Sequence, residues 1–288
     1  GVIGERLPTE KLVGALPKVF DAVTEAGIAA AARAIMTTDT FPKASVRTAK
    51  IGDATVTVAG IAKGSGMIAP DMATMLVYIF TDAKMSAANL QRLLSRNVDD
   101  TFNSITVDSD TSTSDTLLIA ATGQSPAAEV KVNGPVAKAF EAALRGVMMS
   151  LAHQVVRDGE GATKFVEIRV TGAATPEDAL RVGKSIADSP LVKTAIAGED
   201  PNWGRIVAAI GKSGAAVERD RLRISFGDIL VAEKGWRAPS YTEDAGASYM
   251  KNAELIIGVD LGMGKAKRTI WTCDLTDRYI AINADYRS

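Results

Sequence analysis

Seven apolar residues recur at helical spacing over 136–155: Val136, Phe140, Leu144, Val147, Met148, Leu151 and Val155. A stripe of that length on one side of a helix has to be buried against a broad apolar surface. The segments around it supply such a surface. Residues 51–61 alternate through Val56 and Val58, "FVEIRVTG" alternates from Phe165, and "MLVYIF" and "LLIAAT" are short apolar runs of the buried-strand kind. Long helices interleaved with strands predict an α/β or α+β chain of layered helices and sheet.

Further helices follow from their start signals. Residues 17–36 form an Ala-rich helical stretch. Ser86 caps a helix that places Leu90, Leu93, Leu94, Val98 and Phe102 on one face, Asn133 caps the long helix, and Thr175-Pro176-Glu177-Asp178 opens another. The last third reads as strand-rich, with strands over 206–210, 222–232, 254–260, 269–275 and 278–284, and "GEDPNWGR" at 198–205 as a loop. "AKGSGMIAPDMATML" at 62–76 is irregular, and "DSDTSTSDT" is a polar loop.

Composition excludes several function classes. The 288 residues are 47% apolar and 23% charged, enough for a sizeable core, and a net charge of −1 offers no basic field to nucleic acid or an anionic membrane. No run of 18 apolar residues marks a membrane span. Cys273, the single cysteine, precludes an internal disulfide, fits a reducing compartment and reads as a packing residue in an alternating strand. With His153 it is too small a set for a zinc site of the usual kind, so no metal is expected. "DSDTS" fails as a calcium loop because positions six and twelve are Thr113 and Ile119, and "GMGK" at 262–265 lacks the spacing of a phosphate loop.

One histidine leaves little room for a serine–histidine–acid arrangement. His153 lies inside the long helix and reads as an ordinary helix-face histidine. A histidine-free route to acyl transfer is an N-terminal Thr or Ser whose own α-amine, with a pKa of about 7.7–8.0, accepts the hydroxyl proton. Such a residue must be exposed by chain cleavage, and "PDMATML" offers a place for it. Thr74 follows the small Ala73, and Gly64, Gly66 and Pro70 permit unusual backbone in the preceding loop. The residues alone favour Thr74 as an ordinary strand residue, Lys63 as a solvated strand-end charge and Glu160 as a helix-end charge.

"TTDT", "AKGSGMIAPDMATML", "DSDTSTSDT", "DGEGATK", "SPLVKTA", "DPNWGR" and the terminal "INADYRS", in this order from Gly1 to Ser288, resemble the ornithine acetyltransferase family, also called glutamate N-acetyltransferases. The resemblance implies a layered helix-sheet-sheet-helix sandwich like that of N-terminal-nucleophile hydrolases over roughly 1–170, and a smaller strand-rich part over 171–288. It implies self-cleavage between Ala73 and Thr74 into fragments 1–73 and 74–288, and transfer of an acetyl group from N2-acetylornithine to glutamate in arginine biosynthesis through an acetyl-Thr74 ester. No cofactor is implied; acetyl-CoA as a co-substrate stays open. Substrate contacts carry over to Thr37, Lys63, Thr74, Glu160, Asn283 and Ser288. The family's oxyanion hole comes from a Thr-Gly pair in "TGVIG", so Gly1 matches its glycine and the threonine belongs just upstream. The expectation is therefore a natural protein longer than residues 1–288, with these residues alone poorly active. A cytoplasmic location is expected, with an upstream targeting segment left open, and so is an assembly of paired fragments, a heterotetramer or larger. Two other readings stand beside this one: a related N-terminal-nucleophile amidohydrolase or aminopeptidase, and a catalytically silent amino-acid-binding protein.

Overall fold

A computed structural model describes residues 4–69, 75–112 and 114–284. Two helices, α1 (Thr9–Asp21) and α2 (Ile28–Ala34), precede the first sheet. The Ala-rich helical stretch expected over 17–36 is thus broken: α1 ends at Asp21, Thr24 is extended, and a short 3₁₀ turn over Glu25–Gly27 leads into α2. Local alanine propensity is a weak prior that this break overrides.

The first sheet runs in the order β1 (Lys43–Ile51), β2 (Ala54–Lys63), β3 (Leu76–Thr81), β4 (Thr116–Ala121). The strand expected at 51–61 is one arm of a tight antiparallel hairpin whose other arm is β1. β3 pairs antiparallel with β2, Lys63 facing Leu76, and parallel with β4, Leu76 facing Thr116. The parallel crossover contains α3 (Ala87–Val98), capped by the Ser86 hydroxyl on Asn89 N as its sequence predicts.

The long helix α4 (Pro135–Arg157) lies across one face of this sheet, with Phe140, Leu144, Val147, Met148, Leu151 and Val155 all fully buried. Gly60 permits the approach: a Cβ there would come within 2.9 Å of Leu151 Cδ1. The N-cap of α4 is Gly134, at φ 100°, rather than Asn133, and no side chain caps the helix; Pro135 at the first turn, with no N–H to satisfy, does the work of starting it.

The second sheet has the order β10-β5-β9-β6-β7-β8, formed by β5 (Phe165–Ala173), β6 (Arg223–Phe226), β7 (Ile229–Glu233), β8 (Trp236–Arg237), β9 (Glu254–Asp260) and β10 (Ala266–Cys273). α5 (Pro176–Ala187), α6 (Pro190–Ala197) and α7 (Trp203–Gly211) build a second core against it, and α8 (Glu243–Met250) and α9 (Asp277–Ala284) complete the described chain. Two expected strands are helices. Residues 206–210 lie in α7, where Ile206, Ala209 and Ile210 are buried at helical spacing and Asn202 caps the start through Arg205 N. Residues 278–284 are α9, none of whose residues is buried. The stretch 222–232 is a hairpin of β6 and β7 rather than one strand. An isolated β-bridge between Ile105 and Trp271 is one of several links between the two halves, with Thr106 N donating to Trp271 O and the Thr106 hydroxyl to Asp188.

Candidate active site

Three loops and one helix converge at the C-terminal end of β2. The first is the "TTDT" turn. Asp39 Oδ2 accepts from Thr37 N at 3.1 Å, and its Oδ1 accepts from Gly64 N at 2.8 Å and from Lys43 Nζ at 2.6 Å. Burial pushes the Asp39 carboxyl up, but the donors Gly64 N, Lys43 and Thr37 N outweigh it and leave the group below the usual carboxylate range. Lys43 is fully buried and also donates to Asp158 Oδ2 at 2.5 Å. The second loop is "DGEG". Asp158 accepts from Thr40 N and the Thr40 hydroxyl, and its carbonyl accepts from Ser65 Oγ at 2.5 Å. The third is the β2 exit itself, where Ser65 O accepts from Glu160 N at 2.9 Å.

These bonds bring together the substrate-contact residues among the described ones. Lys63 and Glu160 are both buried, while Thr37 and Asn283 are exposed at the edge of the cluster. Asn283 Nδ2 donates to Glu160 Oε2 at 2.7 Å, so α9 closes over the carboxylate. Burial draws the Lys63 ammonium below its usual range, opposed by the charges of Asp39, Glu160 and Asp115 and assisted by Lys43. Gly66 leaves room for Glu160: a Cβ on it would sit 2.4 Å from the Glu160 carboxyl carbon. Ala73, Thr74, Gly1 and Ser288 lie outside the described residues, but the chain enters and leaves the 70–74 segment here. Met67 N and Ile68 N donate to Asp108 at 2.7 and 2.9 Å, and Met75 N donates to Asp115 Oδ1 at 2.7 Å.

His153 is no part of this cluster. Its ring packs between Phe165 and Trp271, with centroids 5.2 and 4.8 Å away, and its Nε2 is buried with no hydrogen-bond partner among the described residues. Burial, with Arg157 nearby, holds its pKa down. Cys273 is buried beneath Gly159, whose hypothetical Cβ would meet its Sγ at 2.8 Å, and burial raises its thiol pKa. Trp203 packs against the second core from its half-buried place at the start of α7.

Residue-by-residue reading missed Asp39, Lys43, Asp158, Asp108, Asp115 and Tyr279. Asp39 and Asp158 stood inside "TTDT" and "DGEG" as carboxylates with no assigned work, and Asp108 and Asp115 mark the two ends of "DSDTSTSD". Tyr279, whose hydroxyl donates to Asp108 Oδ2 at 3.2 Å, carried no signal because 278–284 read as a strand.

Mixed α/β layering that brings a buried ammonium and a buried carboxylate together where the first sheet meets three loops is the arrangement of an α/β enzyme for a small charged substrate. The chain belongs to the ArgJ family, whose pattern matches residues 1–288. It is 65% identical over 288 residues to the arginine biosynthesis bifunctional protein ArgJ of Ruegeria pomeroyi, covering all of this chain and 69% of that protein. It is 56% identical over 292 residues to the protein of the same name from Brucella suis, covering all of this chain and 71% of the relative. The crystal structure of arginine biosynthesis bifunctional protein ArgJ from Bacillus halodurans superposes with a TM-score of 0.70 at 40% identity, over 73% of this chain and 98% of the solved one.

Proposed function

We propose that the chain transfers an acetyl group from N2-acetylornithine to glutamate by way of Thr74, after self-cleavage between Ala73 and Thr74. The observation that carries this reading is that buried Lys63, at the end of β2, feels the charge of buried Glu160, in a chain of the ArgJ family. Donor and acceptor share an α-amino-acid skeleton. Lys63 neutralises the α-carboxylate common to both, and Glu160, steered by Asn283, takes the side-chain ammonium of ornithine. Thr37 and Ser288 complete the substrate contacts.

Thr74 Oγ attacks the acetyl carbonyl while its α-amine takes the hydroxyl proton, and the oxyanion is held by amide donors to which Gly1 belongs. The amine returns the proton to the departing ornithine nitrogen as the C–N bond breaks, leaving an ester. The glutamate amine then attacks that ester and Thr74 recovers its proton. Amide-to-amine acyl transfer of this kind needs no cofactor, and acetyl-CoA fits the first step equally well as an acetyl donor. The two fragments pair and assemble into a heterotetramer or larger, and reducing, cytoplasmic surroundings suit the single buried thiol.

The test is N-terminal sequencing and intact mass of the purified protein, followed by incubation with labelled N2-acetylornithine alone. A fragment beginning Thr-Met-Leu that gains one acetyl group, and loses it to glutamate, is the expected result. A whole, active chain would remove Thr74 from the reaction.

A further inference from the structure

The loop at 107–116 grips the chain on both sides of the Ala73–Thr74 bond. Upstream, Asp108 accepts from Met67 N and Ile68 N, and Val107 N donates to Ile68 O at 2.7 Å. Downstream, Thr116 N donates to Met75 O at 3.0 Å, extending the parallel β3–β4 ladder by one step, and Asp115 Oδ1 accepts from Met75 N at 2.7 Å. Met75 is itself buried. Its nitrogen belongs to the peptide bond that joins it to Thr74, so the residue that Asp115 holds is the nucleophile's covalent neighbour. The Asp115 carboxylate is therefore held one residue along the chain from the amine that cleavage frees, and a nearby negative charge favours the charged form of an amine.

We propose that Asp115 is a positioning residue for Thr74: it anchors the main chain one residue downstream of the nucleophile, and its negative charge stabilises the ammonium form of the freed amine. The inference rests on the reading of Thr74 as nucleophile. Burial raises the Asp115 carboxyl to about 6, against the pull of Met75 N and Lys63, so the group is mainly anionic at neutral pH. The charge that acts on Asp115 is that of Lys63, at the end of β2, and Lys63 in turn feels Asp39, Lys43 and Glu160. The sign follows directly. A carboxylate near an ammonium raises the amine's pKa, so its removal lets the amine become a base at lower pH.

Asp115→Asn keeps an oxygen to accept from Met75 N and removes the charge; Asp115→Ala removes both. Cleavage is followed by mass and N-terminal sequence, and formation of the acetylated fragment from N2-acetylornithine by rapid quench across pH. The asparagine variant should cleave, and the acid limb of its acetylation profile should fall by about one pH unit. The alanine variant should be acetylated at least about ten-fold more slowly at its own optimum, as expected for a misplaced nucleophile. An unmoved acid limb in Asp115→Asn, or a parental rate in Asp115→Ala, overturns the proposal. Absence of a Thr74 N-terminus in the parent protein is a separate result that removes the nucleophile reading and this inference with it.

Discussion

Gly66 leaves the space that the Glu160 carboxylate fills, and what blocks a methyl group there is the end of a side chain rather than backbone. Gly66→Ala should therefore fold, with Glu160 pushed aside. The expected outcome is a loss of kcat/KM close to that of Glu160→Gln, with little change in Tm; a fall in Tm without that loss would point to packing alone. Lys63→Ala should weaken use of both donor and acceptor, because both carry the carboxylate. Losing one charge-assisted hydrogen bond amounts to roughly 1.5–3 kcal/mol, or about ten-fold to a hundred-fold in kcat/KM. The comparison requires a variant shown to be cleaved, and parental kinetics for both substrates would take Lys63 out of the site. Asp115 also affects stability. Its folded-state pKa is raised to about 6, so its favourable contribution is fully present below the unfolded value and is lost as pH rises through that point. Asp115→Asn should thus raise Tm relative to the parent more at alkaline than at acid pH, as read by thermal melts at both.

Among the elements, β1 and the "TTDT" turn are joined to α4 through a buried cation. Lys43, at the start of β1, reaches Asp39 on one side and Asp158, just beyond α4, on the other. Removing one partner of a buried charge group leaves the rest uncompensated, which typically destabilises by about 3–5 kcal/mol. Lys43→Met should show that loss as a lower midpoint in urea, with an unchanged m-value; an unchanged midpoint would mean that water reaches the two carboxylates. The same scale explains which elements were legible. α3 and α5 carry Ser86 and Thr175 caps that the structure retains. By contrast, "RIVAAI" is an apolar run too short for periodicity to separate a strand from a helix, and burial of Ile206, Ala209 and Ile210 on one side made it helical. The helix α9 buries no residue and is held by tertiary bonds, Thr276 to Gly161 O and Asn283 to Glu160, which no local pattern announces.

For the whole molecule, the proposed cut falls between two paired strands. β1 and β2 lie upstream of it, and β3, β4 and α4 lie downstream. Ala49, Ile51, Val56, Val58, Ala62 and Ile68 share one core with Val77, Ile79, Phe140, Leu144 and Leu151, and the β2–β3 ladder crosses between the fragments. Cleavage should therefore leave the fragments associated through a common core, in the manner of an obligate interface. Native mass spectrometry and gel filtration should find both fragments in one species that separates only in denaturant. Fragments that part under native conditions would mean that this core does not hold them.

The sequence by itself determined what depends on local pattern and residue chemistry. It set the mixed α/β class, the burial of the α4 stripe, the caps at Ser86 and Thr175, and the reading of His153 as an ordinary helix-face residue. In-order motifs marked the family and pointed to Lys63, Glu160, Thr37 and Asn283. Only the tertiary structure decided which of the acidic residues act together. Asp39, Asp108, Asp115 and Asp158 are ordinary aspartates in sequence, and they gain their work from contacts spanning tens of residues: Asp115 with Met75, and Asp158 with Lys43. A carboxylate's effect depends on burial and on which donors and charges face it, and both are properties of the packed chain rather than of its neighbours in sequence.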